Sequence, residues 1–221
     1  MYHEAVWESN PLTVFLPFQK PHRKVIDVKT IDVPYGKDKQ TLHVPLDRLS
    51  AVITPNHAHA VAEAQDEIVR KALQAPIGTP RLCELAQGKK HVVIITSDHT
   101  RPVPSRITMP LLLEEVRRGN PEAEISLLIA TGMHRPTTEV ELRARYGDEI
   151  VDRENIVVHK AMVKEDMVFF GTLPSGGELW LNRLIKESDL VVAEGFIEPH
   201  FFAGFSGGRK AILPGVASAK T

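Results

Sequence analysis

The residues with the most chemical capacity lie in three polar runs, each at the end of a short apolar run. The first is Ser97-Asp98-His99-Thr100-Arg101-Pro102 and the second is Thr131-Gly132-Met133-His134-Arg135-Pro136. The third starts at Glu194 and carries Glu198-Pro199-His200, then Gly204, Gly207, Gly208, Arg209 and Lys210. Histidine exchanges a proton near neutral pH. Arginine grips a carboxylate or phosphate through paired hydrogen bonds. Glycines let a backbone approach an anion closely, and a lysine amine serves as a cation or a covalent anchor. Two histidines facing a substrate from opposite sides, His134 and His200, are what inversion of a carbon centre needs.

Each run has a plainer reading. Asp98 could cap a helix and pair with Arg101. His134 could be a surface histidine and the glycine run a flexible loop. The run from Gly204 to Lys210 is not a Walker P-loop, because Arg209 precedes the lysine and Ala211 follows it, where that motif needs glycine and Ser or Thr. Phe201, Phe202 and Phe205 read most simply as packing residues, with the pocket lining as a second option.

The elements that position these runs are legible in order. Residues 1–24, broken by Pro11, Pro17 and Pro21, read as an N-terminal extension. Alternation from Val25 to Val33, the turn Pro34-Tyr35-Gly36-Lys37 and the run Thr41–Val44 predict an N-terminal β-hairpin. Ala58–Leu73 has helical spacing, and His57 and His59 at its start read as solvated histidines without a third metal ligand. Val92–Thr96 is a short apolar, β-branched run, as in a buried parallel strand, Ile125–Ile129 is the next buried strand, and Leu190–Ala193 is another apolar strand. Between them a helix is expected around Leu111–Val116 despite Pro110. Thr138 and Glu141 form a capping box for a helix to Tyr146. Ile156–Val158 and Val168–Phe170 are further strand candidates, and Leu181–Lys186 reads as helical. The pattern predicts an α/β fold with a mostly parallel, Rossmann-like sheet and flanking helices. Such sheets bind ligands outside the carboxyl ends of their strands, so the three polar runs should share one edge.

The 221 residues are 43% hydrophobic and 25% charged, with a formal net charge of −1. That balance supplies a core and removes the simplest argument for nucleic-acid binding. The lone Cys83 cannot form an internal disulfide and is expected to be a small buried residue. Without a membrane span or signal sequence in view, the expected location is the cytoplasm.

Together the three runs, continuing to Pro214-Gly215, resemble the lactate racemase family, the nickel-pincer-nucleotide-dependent 2-hydroxyacid racemases and epimerases. The resemblance covers roughly Ile31 to the end. It implies an isomerase whose cofactor is nickel pyridinium-3,5-bisthiocarboxylic acid mononucleotide. Asp98, His99, Thr100 and Arg101 would line the cofactor, with Arg101 also near the substrate carboxylate. Lys210 would tether the cofactor through a thioamide, and His134 and His200 would be the paired acid/base residues. The family's chemistry couples proton removal from the 2-hydroxyl to hydride transfer onto the pyridinium ring. This suits a weakly acidic α-proton better than direct abstraction by histidine. The implied partners are a small 2-hydroxyacid and cofactor-synthesis proteins, with no nucleic acid or membrane.

Two departures shape the expectation. Family members have a second α/β domain, and their nickel-ligating histidine lies just past the attachment lysine, whereas no histidine follows His200 here. Residues 25–221 are therefore expected to be an incomplete N-terminal catalytic domain of a two-domain enzyme, inactive alone, with no metal ligand of its own. The other readings are a non-catalytic nucleotide- or phosphate-binding module and a truncated homologue acting as a scaffold.

Overall fold

The computed structural model describes residues 27–53 and 62–221. His57, His59, the start of the expected Ala58 helix and the extension at 1–24 lie outside the described residues. The chain forms two compact units, Met1–Ala60 and Val61–Thr221.

The first unit contains the expected hairpin. Strand β1 (Val28–Tyr35) pairs antiparallel with β2 (Asp38–Pro45), in a register that sets Tyr35 opposite Asp38. The two-residue turn needs a left-handed residue, which Gly36 supplies at φ 60°. Ile31 and Val33 are the half-buried side chains of β1 and their neighbours are exposed, so the alternation of the sequence is kept.

The second unit is mixed α/β. It begins with α1 (Gln65–Gln74) and a single turn, α2 (Leu82–Leu85), and then enters β3 (His91–Ser97). Next come α3 (Ser105–Gly119), β4 (Glu124–Ala130), α4 (Glu139–Tyr146), α5 (Asp148–Arg153) and β5 (Asn155–Val158). Strands β6 (Met167–Thr172) and β7 (Glu178–Asn182) form a separate antiparallel hairpin. A short helix, α6 (Leu184–Glu187), leads to β8 (Leu190–Ala193). The four-stranded parallel sheet has the order β5-β4-β3-β8.

Successive side chains of a strand point to opposite faces, and in β3 and β4 both faces find cover. Val92, Ile94, Leu127 and Ile129 pack against Met109, Leu113 and Val116 of α3 and Leu142 and Tyr146 of α4. On the other face Val93, Ile95 and Leu128 meet Val216, with half-buried Leu184, Ile185, Ala211 and Ile212 beside them. This double cover is why the runs are continuously apolar. Each fully buried aliphatic side chain contributes about 1.5–3 kcal/mol. Pro110 stands in α3 with its ring exposed, leaving the Arg106 carbonyl without its intrahelical donor. Thr138 does cap α4, its hydroxyl accepting from the Glu141 amide while the Glu141 carboxylate accepts from the Thr138 amide.

The expected helix over Leu181–Lys186 is overturned. Leu181 is the buried end of β7 and bridges to Ala217, and only Leu184–Glu187 is helical. The Asn182 side-chain oxygen accepts the Leu184 amide at 3.1 Å, turning the chain from strand to helix. The strand candidate Val168–Phe170 is real but stands outside the parallel sheet. Cys83 is half-buried rather than buried.

Candidate active site at the carboxyl ends of three parallel strands

Strands β4, β3 and β8 are adjacent and parallel, so the runs that follow them emerge at one edge. They enclose a cavity of about 490 Å³, lined by Asp98, Thr100, Arg101, His134, His200 and Lys210, among others. That is within the range of small-molecule sites. The loop after β3 is central. The loops bearing His134 and His200 flank it.

Asp98 is 2% exposed. Its Oδ1 accepts from the Thr100 hydroxyl at 2.6 Å and the Thr100 amide at 3.0 Å, and its Oδ2 lies 2.6 Å from His134 Nδ1. Burial alone would raise its pKa. The Thr100 hydroxyl, His134 and the Thr100 amide outweigh burial and hold it below the ordinary carboxylate value. An ionised carboxylate only accepts, so His134 Nδ1 carries a proton, and in the neutral tautomer that this contact selects, the lone pair is on Nε2. The alternative pairing of Asp98 with Arg101 is absent. Arg101 instead has Nε 3.7 Å from Glu198. Asp98 does not cap α3 either, whose N-cap is Pro104.

His99 turns away from the cavity. Its Nδ1 is 3.2 Å from the Thr137 hydroxyl and 4.0 Å from Glu141, and it is not among the cavity's lining residues.

His200 ends the two-residue strand β9 (Pro199–His200), paired antiparallel with β10 (Gly204–Phe205). Its Nδ1 accepts the Ala203 amide at 3.4 Å, which leaves the proton on Nε2. Partial burial, then the charges of Lys210 and Arg101, lower its pKa, with Glu198 opposing. Its ring stacks on Phe201 with centroids 5.1 Å apart and meets Phe202 edge-on at 4.3 Å. The expectation that Phe201, Phe202 and Phe205 are packing residues fails. They are 94%, 69% and 63% exposed, because no described element covers this edge of the sheet, and the first two line the cavity mouth.

Lys210 sits in a 3-10 turn, Gly208–Ala211, entered through Gly207 at φ 71° and Gly208 at φ 52°. Its pKa is lowered, first by burial and then by Arg101, against the opposing pull of Asp98. Among the described residues no carboxylate pairs with its amine. Arg209 is exposed and points outside the lining. Ser206 pins the loop, its buried hydroxyl donating to the Phe196 carbonyl at 2.6 Å and accepting the Glu198 amide at 3.1 Å. The Gly132 amide donates to the Gly215 carbonyl at 2.9 Å, tying the β4 loop to the segment after Lys210.

Two supporting residues carried no functional signal in the sequence. Arg145, in the last turn of α4, donates Nη2 to the carbonyls of Asp98 at 2.7 Å and Arg101 at 2.6 Å. Nothing distinguishes it in the sequence from the other charged residues of that helix. Glu194 is buried beneath the loops and is held by hydroxyls. Among the described residues, no group of three His, Cys, Asp or Glu side chains is arranged to hold a metal ion. Nor is any described helix long and apolar enough to cross a membrane.

These features define an α/β domain in which a lysine and two histidines line one cavity at the carboxyl edge of a parallel sheet. Residues 35–221 match the lactate racemase N-terminal domain, and the chain belongs to that family. It is 55% identical over 191 residues to a lactate racemase of Thermoanaerobacterium thermosaccharolyticum, covering 86% of this chain and 45% of that protein. A lactate racemase of Lactiplantibacillus plantarum is 48% identical over 194 residues, again covering 86% and 45%. The chain thus spans about half the length of these curated relatives. The structure of the Thermoanaerobacterium lactate racemase apoprotein superposes with a TM-score of 0.79, covering 86% of this chain and 44% of the other. A Thermotoga maritima protein at 24% identity and a TM-score of 0.58 shares the fold.

Proposed function

We propose that this chain forms the cofactor-bearing part of a lactate racemase-like 2-hydroxyacid racemase or epimerase. The observation that carries the reading is the gathering of His134, His200 and Lys210 around one cavity.

The residues fit a nickel-pincer nucleotide. The Lys210 amine, with its lowered pKa and no carboxylate partner among the described residues, suits covalent attachment. The glycine turn supplies amide donors for a phosphate, and the Thr100 hydroxyl oxygen, its proton given to Asp98, can accept from a ribose hydroxyl. In this reading Lys210 is the tether, Asp98, Thr100 and Arg101 stand along the cofactor, and nickel is held by the cofactor's own thio-acid arms. When bound, the cofactor supplies a ring that accepts hydride from the 2-carbon and returns it.

The chain's residues handle binding and protons. The Arg101 guanidinium comes no closer than 3.7 Å to its ion-pair partner Glu198, and in this reading it holds the substrate carboxylate. His134, fixed by Asp98, takes the 2-hydroxyl proton of one antipode at Nε2 and gives it back. His200 serves the mirror image from the other side of the β3 loop, taking the proton at Nδ1 once the long Ala203 contact, 3.4 Å, gives way. Its lowered pKa keeps it neutral, and able to accept a proton, at neutral pH. The cavity is open at its aromatic rim, so turnover in this reading also uses protein that covers the mouth and excludes water. His99 has no direct role.

The test is chiral chromatography of D- and L-lactate with these residues grafted in place of the matching part of the Thermoanaerobacterium enzyme, produced with the cofactor-synthesis proteins. Racemisation that is lost in His134→Gln and in His200→Gln, with a mass adduct that is lost in Lys210→Ala, supports the reading. An adduct-free, inactive graft would refute it. Nucleotide binding without turnover, unchanged in both histidine variants, would leave a binding module only.

A further inference from the structure

We infer that Glu194 is a positioning residue that sets the lysine loop against the β3 loop. It stands directly after β8, at the root of the loop that bears His200 and Lys210, and is 7% exposed. No cation pairs with it among the described residues. Its Oε2 instead accepts from the hydroxyls of Thr96 and of Ser105, the latter at 3.0 Å, and its Oε1 accepts from the Thr108 hydroxyl. A second link in the network joins Thr96 to the Tyr146 hydroxyl at 3.0 Å.

The donors mark where the neighbouring loop begins and ends. Thr96 lies in β3, two residues before Asp98, and Ser105 opens α3 after Arg101 and Pro104. One carboxylate therefore fastens the entrance and exit of the β3 loop to the entrance of the lysine loop. Its negative charge also sits at the first turn of α3, which contains no acidic residue of its own. The backbone beyond it is held closely: a Cβ on Gly195 would lie 3.2 Å from the Gly207 Cα. Gly207 begins the turn that presents Lys210, so a shift at Glu194 passes through Gly195 to that turn. Burying a carboxylate is costly unless its oxygens are hydrogen-bonded. Three hydroxyl donors and a helix N-terminus offset that cost here, whereas an apolar residue would fill the space without tying the loops.

The inference concerns Lys210 placement and holds whether or not the cofactor reading does. The test is therefore cofactor-free. The purified 221-residue chain is labelled with a neutral acylating reagent across a pH series. The rate at Lys210 is read by peptide mass spectrometry against exposed Lys164. Arg101 and Asp98 on the β3 loop and His200 on its own loop are the charged and titratable groups facing Lys210. In Glu194→Gln, the midpoint of the Lys210 profile is expected to rise by about one pH unit, a tenfold change in neutral amine at a given pH. In Val116→Ala, a cavity elsewhere in the core, the melting temperature should fall while the midpoint stays. An unmoved midpoint in folded Glu194→Gln, or an equal shift in Val116→Ala, overturns the inference. If Glu194→Gln does not fold, Thr108→Val, which removes one donor, is read by the same two criteria.

Discussion

Asp98 Oδ2 lies 2.6 Å from His134 Nδ1, and the rest of that carboxylate is occupied by Thr100. The aspartate thus lines the cavity with its oxygens committed to a histidine and a threonine. Replacing it with asparagine keeps the shape but offers an amide that can donate to Nδ1 and reverse the tautomer. If the proposed function holds, Asp98→Asn in the cofactor-loaded graft should lower lactate racemisation by about a hundredfold or more, the usual worth of a positioned base. Its circular dichroism should be unchanged. Turnover within threefold of wild type would show that His134 needs no partner.

His200 should titrate below the ordinary histidine value of 6.5, because burial and the charges of Lys210 and Arg101 disfavour its imidazolium. Removing one of those charges relieves part of the effect. In Lys210→Ala the midpoint of the His200 ring resonances in NMR should move upward, toward 6.5. A midpoint that moves down would contradict the proximity of the two side chains.

Gly207 is the hinge of the lysine turn. A methyl there would meet Ile197 Cδ1 at 2.8 Å and the Phe196 carbonyl oxygen at 3.1 Å, on a backbone at φ 71°. Gly207→Ala should cost about 1–3 kcal/mol in urea unfolding. It should also abolish the Lys210 mass adduct while leaving the lysine itself in place. Full adduct formation in this variant would show that the turn tolerates rearrangement.

His159 should make stability sensitive to acid. It is 1% exposed, with Nε2 donating to the Ala217 carbonyl at 2.9 Å and Nδ1 accepting from the Asn182 amide at 3.3 Å. Burial, only partly opposed by the Ala217 carbonyl and Asp166, lowers its pKa from 6.5. The unfolded chain therefore binds this proton at a higher pH than the folded one, and stability falls as pH drops below 6.5 toward the folded value. Melting temperature should decline from about pH 7 to about pH 5, and the decline should be shallower in His159→Gln. An unchanged slope would assign the acid sensitivity to other groups.

The parallel sheet and its edge were legible because Val92–Thr96 and Ile125–Ile129 are covered on both faces, which favours apolar runs, and Leu190–Ala193, a half-buried edge strand, is apolar as well. The α4 cap was legible because a capping box is local. The β7 strand was hidden. Its partner β6 and the bridge from Leu181 to Ala217 are tertiary, and the short run Glu178–Asn182 has no period long enough to tell strand from helix. That Asp98, Arg101, His134, His200 and Lys210 would meet at one cavity was legible, since polar residues at the ends of neighbouring parallel strands converge. The orientation of His99 toward Thr137 was not, because adjacent loop residues point in directions set by distant contacts. Arg145 was invisible for the same reason, its targets being backbone carbonyls, which every residue has.

The strand order has a kinetic consequence. Residues 96 and 194 touch although 98 positions separate them, because β8 returns to lie beside β3 only after the whole β4–β7 excursion. Closing so large a loop costs entropy before the contacts form. A folding chain with β3 and β4 already paired holds Asp98 and His134 in register but has no lysine turn beside them. Recovery of Lys210 reactivity during refolding therefore reports the docking of β8, separately from the recovery of helix signal.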